Sequence, residues 1–224
     1  MCEIKTWIHN FKNELLNNFQ NRIEFIGLQG SYARGETDEN SDIDIVVIFD
    51  ELTPDDLYKY DKIISTMPKR DKICGFLSGK AEIINWERSD LFQFYHDTKA
   101  VYKDMDFLLP LIQKEHVKQA VLIGACNIYH ACCHNIVHEK DTEILKALYK
   151  QASFVLQAKY FFDTGHYISK KRDLIDKLCE SDKAILQAHL NLKSGENLKN
   201  PFEAYSKILF IWSGNLIKEF GEEK

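Results

Sequence analysis

The run Ser41-Asp42-Ile43-Asp44-Ile45-Val46-Val47-Ile48-Phe49 constrains this chain more than any other stretch. It alternates briefly and then turns continuously apolar, the pattern of a buried strand. Side chains on a strand alternate faces, so Asp42 and Asp44 point the same way. Two carboxylates side by side repel each other and gain nothing in a core. A divalent cation between them removes the conflict. Mg²⁺ takes hard oxygen ligands and shares its shell with waters and substrate phosphates, so a strand-borne Asp-x-Asp is a platform for a metal–triphosphate complex.

A second element supplies the other half of such a site. Ile23 to Leu28 is a short apolar run that ends in Gln29-Gly30 and reads as a strand entering a turn; residues 31–41 are small and polar. Glycine at position 30 lets backbone approach a phosphate closely, and exposed N–H groups at a helix start bind anions. The Ser31 hydroxyl adds a donor. Arg34 follows one helical turn later with a planar fork suited to phosphate.

Together, Ile26-Gly27-Leu28-Gln29-Gly30-Ser31, a spacer of polar residues and Ser41-Asp42-Ile43-Asp44 resemble the signature of the DNA polymerase β-like nucleotidyltransferase superfamily. The resemblance is close over residues 22–50 and looser to about 86. It implies that Gly30, Ser31, Arg34 and Ser41 bind the nucleotide. It also implies that Asp42 and Asp44, with a third carboxylate from a later strand, hold two Mg²⁺ ions. Lys80 to Trp86 reads as that strand, which makes Glu82 the expected third ligand, with Glu87 and Asp90 as competitors. An acid within an apolar strand is costly unless it has a task. In the two-metal scheme one ion stabilises the attacking oxygen and the other the leaving pyrophosphate.

Around this motif, Ile4, Trp7, Ile8, Phe11, Leu15 and Phe19 recur at helical spacing and predict an amphipathic helix. Thr53-Pro54-Asp55-Asp56 opens a helix that runs to about Thr66. Ser89-Asp90 opens another through His96, and Ala100 to Tyr102 fits a short strand. From about Asp104 strand signals stop. Helical patterns cover roughly 106–139, 141–164, 170–190 and 201–219, with Gly165 at a C-terminus and Asn200-Pro201 opening the last. The expected architecture is therefore an α/β nucleotidyltransferase domain over 1–103, a small mixed sheet with flanking helices, followed by an all-α helical bundle over 104–224.

That layout resembles the kanamycin-type (aminoglycoside) nucleotidyltransferases, whose helical half helps bind the acceptor and supplies a glutamate base; Glu139 and Glu143 are candidates here. In-line attack requires the acceptor hydroxyl opposite the pyrophosphate, and the helical half is the only large element left to hold it, which predicts a cleft between the halves lined by acids or histidines from the helix around 126–143. The layout equally resembles minimal nucleotidyltransferase antitoxins paired with a helical HEPN-type partner. The Arg-to-His spacing of HEPN ribonucleases is missing, since Arg88 precedes His96 by too far and Arg172 is followed by no histidine before His189. His130, His134 and His138 form one helical stripe, which could line the acceptor cleft, bind metal with a further ligand or simply face solvent. Phe154, Tyr160, Phe161, Phe162, Phe202, Phe210 and Trp212 are expected core.

Composition narrows the partners. The net charge of −5 argues against nucleic acid and suits a cationic acceptor. Six cysteines without a CxxC pair suggest reduced thiols in a cytoplasmic protein. No signal-peptide pattern is present at the N-terminus, and no apolar stretch of membrane-span length is expected. The reading is an Mg²⁺-dependent enzyme that transfers a nucleoside monophosphate from an NTP, ATP first, to a small hydroxylated acceptor such as an aminoglycoside-like antibiotic. Adenylylation of a protein partner is the alternative. A homodimer is left open.

Overall fold

The computed structural model describes residues 2–39, 41–194 and 201–222. The chain divides into two compact units, Met1–Leu111 and Ile112–Lys224. Residues 104–111, which the sequence pattern assigns to the helical half, lie with the first unit and include a 3₁₀ stretch, Asp106–Leu111.

The first unit is built on a four-stranded mixed sheet in the order β3-β2-β1-β4. Its strands are β1 (Ile23–Leu28), β2 (Ile43–Phe49), β3 (Ile73–Gly79) and β4 (Lys99–Tyr102). β1 runs antiparallel to both β2 and β4, whereas β2 and β3 are parallel. Helix α1 (Cys2–Phe19) lays Trp7, Phe11, Leu15 and Phe19 against one sheet face, where they bury Ile26, Ile43, Ile45 and Val47. The four-residue spacing of that stripe is what places it on a single helix face. Short α2 (Gly30–Arg34) links β1 to β2.

Helix α3 (Pro54–Ser65) begins as its sequence predicts, with Pro54 inside the first turn and a capping box. Thr53 Oγ1 accepts from the Asp56 N–H and Asp56 Oδ2 accepts from the Thr53 N–H (3.3 and 2.9 Å). Arg22, just before β1, donates both terminal nitrogens to Asp56 (2.6 and 2.9 Å), clamping α3 to the sheet. The Arg22 guanidinium, aided by Thr53, holds the buried Asp56 carboxyl well below the usual carboxylate range.

The stretch expected as a strand over 80–86 is helix α4 (Lys80–Ile84); the strand precedes it as β3. Helix α5 (Arg88–Asp97) follows, capped by Glu87 rather than Ser89, whose hydroxyl and the Asp90 N–H both donate to the Glu87 carboxylate.

The second unit is helical: α6 (Lys114–His134), α7 (Thr142–Thr164), α8 (Lys171–Leu174), α9 (Glu180–Ser194) and α10 (Pro201–Gly221). α6 packs chiefly on α7 and α10 and buries Val117, Val121, Ala125, Ile128 and Cys132. It runs into a π-helical turn, Asn135–Glu139, where buried Asn135 bonds both backbone groups of Asp141. Gly165 closes α7 in the left-handed region, as expected. Contrary to the expectation above, 114–139 is long and apolar enough, by length and composition alone, to cross a membrane. A helix at the centre of a bundle passes the same test.

Candidate functional site

The site is set by where β1 ends. The Gln29 N–H donates to the Asp44 carbonyl (2.8 Å), tying the turn to β2, and the Gln29 side chain donates to Thr98 Oγ1 (2.7 Å) at the end of α5. Gly30 then takes a positive φ of 66°. A Cβ at this position would lie 2.0 Å from Asp44 Oδ2. Glycine is therefore required twice: for the backbone conformation and for the space the Asp44 carboxylate occupies. The Gly-Ser turn and the Asp-x-Asp strand, eleven residues apart in sequence from Ser31 to Asp42, meet here in van der Waals contact.

Asp42 is exposed immediately before β2, and Asp44 is half-buried on the same sheet face. The Ser31 hydroxyl makes no hydrogen bond among the described residues, which leaves it available to a phosphate oxygen. Ser41 is differently employed: its Oγ accepts from the Asp38 N–H (2.8 Å) and donates to Asp38 Oδ1 (3.2 Å), which shapes the loop leading to Asp42.

Arg34 lies close by, with its guanidinium largely buried between two carboxylates, Glu36 (3.2 Å) and Asp97 (3.7 Å). Sequence reasoning missed both partners. Asp97 is far along the chain and carries no motif, so only the fold discloses it.

Glu82 is not brought to the pair. In the parallel register, Asp44 lies beside Cys74 while Phe49 lies beside Gly79. The start of α4 is thus five residues, roughly 16 Å, along the sheet from Asp44. Glu82 sits exposed on that helix. The expectation that it is a strand-borne third ligand fails because the strand ends at Gly79. Glu87 is occupied as the α5 cap; burial pushes its carboxyl pKa up, but the Ser89 hydroxyl and neighbouring N–H groups together outweigh that and hold it below the usual carboxylate value. Asp90 is exposed in the first turn of α5.

An aromatic wall stands on the same face, and sequence reading gave no hint of it. Phe76, two residues beyond Cys74, meets Trp86 edge-on (5.3 Å between centroids) and Phe94 (4.9 Å). Trp86 remains 41% exposed beside Phe76.

Asp42 and Asp44 fit a hard divalent cation. They are two carboxylates on one face, and the glycine opposite them leaves the Asp44 oxygen room. Among the described residues no three His, Cys, Asp or Glu side chains converge as ligands. Mg²⁺ needs only one or two carboxylates when a triphosphate supplies the rest.

In the second unit His130, His134 and His138 are all exposed; the His134 and His138 rings lie 4.8 Å apart and His134 Nε2 is 3.3 Å from Glu139. Glu143 pairs with Lys146 (2.7 Å). Of the aromatics expected in the core there, Trp212 is buried and donates to buried Asp182 (2.8 Å).

Comparison with known proteins bears on the same segment. Residues 8–88 match the nucleotidyltransferase domain family. Two Methanocaldococcus jannaschii proteins carrying the name protein adenylyltransferase are similar to the chain. One is 49% identical over 55 residues, a quarter of this chain (25%) and 60% of that protein. The other is 36% identical over 73 residues, 30% of this chain and 73% of that protein. The chain thus spans about three fifths of the first relative's length. The fold of the whole chain is similar to that of spectinomycin adenyltransferase AAD(9) from Enterococcus faecialis, solved with ATP and spectinomycin. That likeness has a TM-score of 0.58 at 15% identity and covers 96% of this chain and 99% of the other. With its Gly30-Ser31 turn seated on the Asp42–Asp44 strand, the chain belongs to the nucleotidyltransferase family of the polymerase β-like superfamily.

Proposed function

We propose that the protein transfers AMP from ATP to a hydroxyl group of a small acceptor, with Mg²⁺ held by Asp42 and Asp44. The observation that carries this reading is the contact between Gly30 and the Asp44 carboxylate, which brings a phosphate-accepting turn and a cation platform to one point. Ser31 and the turn backbone bind the triphosphate. Arg34, positioned by Glu36 and Asp97, contributes positive charge beside them. Asp42 and Asp44 would hold the cation, which when bound would neutralise charge on the phosphates and polarise the α-phosphorus. The acceptor oxygen attacks that phosphorus in line, the bond to the bridging oxygen breaks, pyrophosphate leaves and the hydroxyl proton passes to solvent or a base.

Two features favour a small acceptor. The likeness to a spectinomycin adenyltransferase extends over both units, so the helical half belongs to the same architecture and is our choice for acceptor binding. The aromatic wall of Phe76, Trp86 and Phe94 offers an apolar ring surface on the carboxylate face. The names of the archaeal relatives favour a second reading, adenylylation of a protein. Incubating the full chain with Mg²⁺, α-labelled ATP and a panel of aminocyclitols and lincosamides, with and without cell lysate, separates the two. Label on a small molecule supports the first reading; label confined to a protein band overturns it in favour of the second.

A further inference from the structure

We infer that the carboxylate pair holds a single divalent cation, the one that accompanies the triphosphate, because Cys74 occupies the strand position from which a third ligand would create a second site. This rests on the nucleotidyl-transfer reading and concerns how many ions that chemistry has to work with.

The neighbours of Asp44 are fixed by the sheet. On one side its backbone bonds Gln29, whose side-chain amide is spent on Thr98 and the Phe94 carbonyl. On the other side its partner in the parallel register is Cys74. Partners in adjacent strands stand roughly 4.8 Å apart with side chains on the same face. A carboxylate at position 74 would therefore lie beside that of Asp44. β3 reads Ile-Cys-Gly-Phe-Leu-Ser-Gly and carries none. Among the described residues no third His, Cys, Asp or Glu converges with the pair as a ligand: Glu36 and Asp97 pair with Arg34, Glu87 caps α5, and Glu82 lies at the far end of the strand.

Charge decides the count. Two carboxylates and the triphosphate oxygens complete one octahedral shell. A second doubly charged ion would have to share the same two carboxylates and otherwise find waters, the acceptor hydroxyl and the Cys74 sulfur, which is a poor ligand for a hard cation. The exposed position of Cys74 makes substitution there structurally cheap.

Native mass spectrometry of the full chain, loaded with Mn²⁺ and the non-hydrolysable analogue α,β-methylene-ATP, counts ions per nucleotide-bound chain. The wild type is expected to carry one Mn²⁺, Cys74→Ser one, and Cys74→Asp two. Two ions on the wild type, or one on a folded Cys74→Asp, overturns the inference while leaving nucleotidyl transfer intact. Failure of the wild type to bind the analogue at all overturns both.

Discussion

Replacing Gly30 with alanine separates the stability of the fold from the geometry of the site. The backbone there has φ of 66°, a conformation that costs an L-residue about 1–2 kcal/mol. The new Cβ would lie 2.0 Å from Asp44 Oδ2, well inside contact distance. What it strikes is the end of a rotatable side chain, so the clash is relieved by turning the carboxylate rather than by moving a strand. Stability should therefore fall by little more than the backbone cost, a drop in Tm of about 2–4 °C per kcal/mol for a chain of 224 residues. The carboxylate, however, must shift by about 1 Å, and a displacement of that size in a reacting array can cost on the order of 100-fold in rate. Thermal melts with and without Mg²⁺-ATP, paired with label-transfer kinetics, read both quantities. A Gly30→Ala protein that melts normally and turns over at more than a tenth of the wild-type rate would refute the proposed fit between turn and carboxylate.

Arg34→Ala should lose stability as well as nucleotide affinity, because it removes the guanidinium that pairs with the largely buried Glu36 and Asp97 carboxylates; a loss of about 1.5–3 kcal/mol in denaturant unfolding is expected, and an unchanged midpoint contradicts it. Asp56→Asn should cost about 1.5 kcal/mol at pH 7, near the low end for a charged hydrogen bond because Arg22 is partly exposed. The folded carboxyl of Asp56 is more acidic than its ordinary value of 3.8, so its contribution is present above that pH and is lost as pH falls through the depressed folded value. The gap in stability between wild type and mutant should accordingly begin to narrow as pH falls below about 3.8 and close only once pH has passed the depressed folded value, and a gap that widens with acid would reverse the assignment. Trp86→Ala should raise the KM for the acceptor several-fold with little change in the KM for ATP, and an effect on ATP alone would move the aromatic wall to the nucleobase.

The Gly-Ser and Asp-x-Asp part of the candidate site was legible because its signals are local. An apolar run, a glycine-serine turn and an alternating Asp-x-Asp each carry their meaning within a few residues, and β1 and β2 form where those patterns lie. The third strand was misread for a physical reason. Lys80 to Trp86 has the apolar content of a strand, whereas β3 itself contains Gly75 and Gly79, residues that weaken strand propensity. Pairing with β2 overrides that propensity, and α4, at five residues, is too short to announce itself by periodicity. The Arg34–Asp97 contact and the Phe76–Trp86–Phe94 wall join residues far apart in the chain and could be seen only once the sheet had brought them together. The long helices of the second unit were readable from their 3.6-residue pattern, although the unit boundary fell eight residues later than the change in texture suggested, at Leu111 instead of 103.

The central claim is that the α-phosphorus of ATP is the atom attacked. Parallel reactions with ATP labelled at the α- or the γ-phosphorus, Mg²⁺ and the acceptor panel test it directly. The account predicts label on the acceptor from α-labelled ATP only, release of labelled pyrophosphate from γ-labelled ATP, and neither in Asp44→Asn. Transfer of the γ label, or α-label transfer that survives in Asp44→Asn, would contradict it.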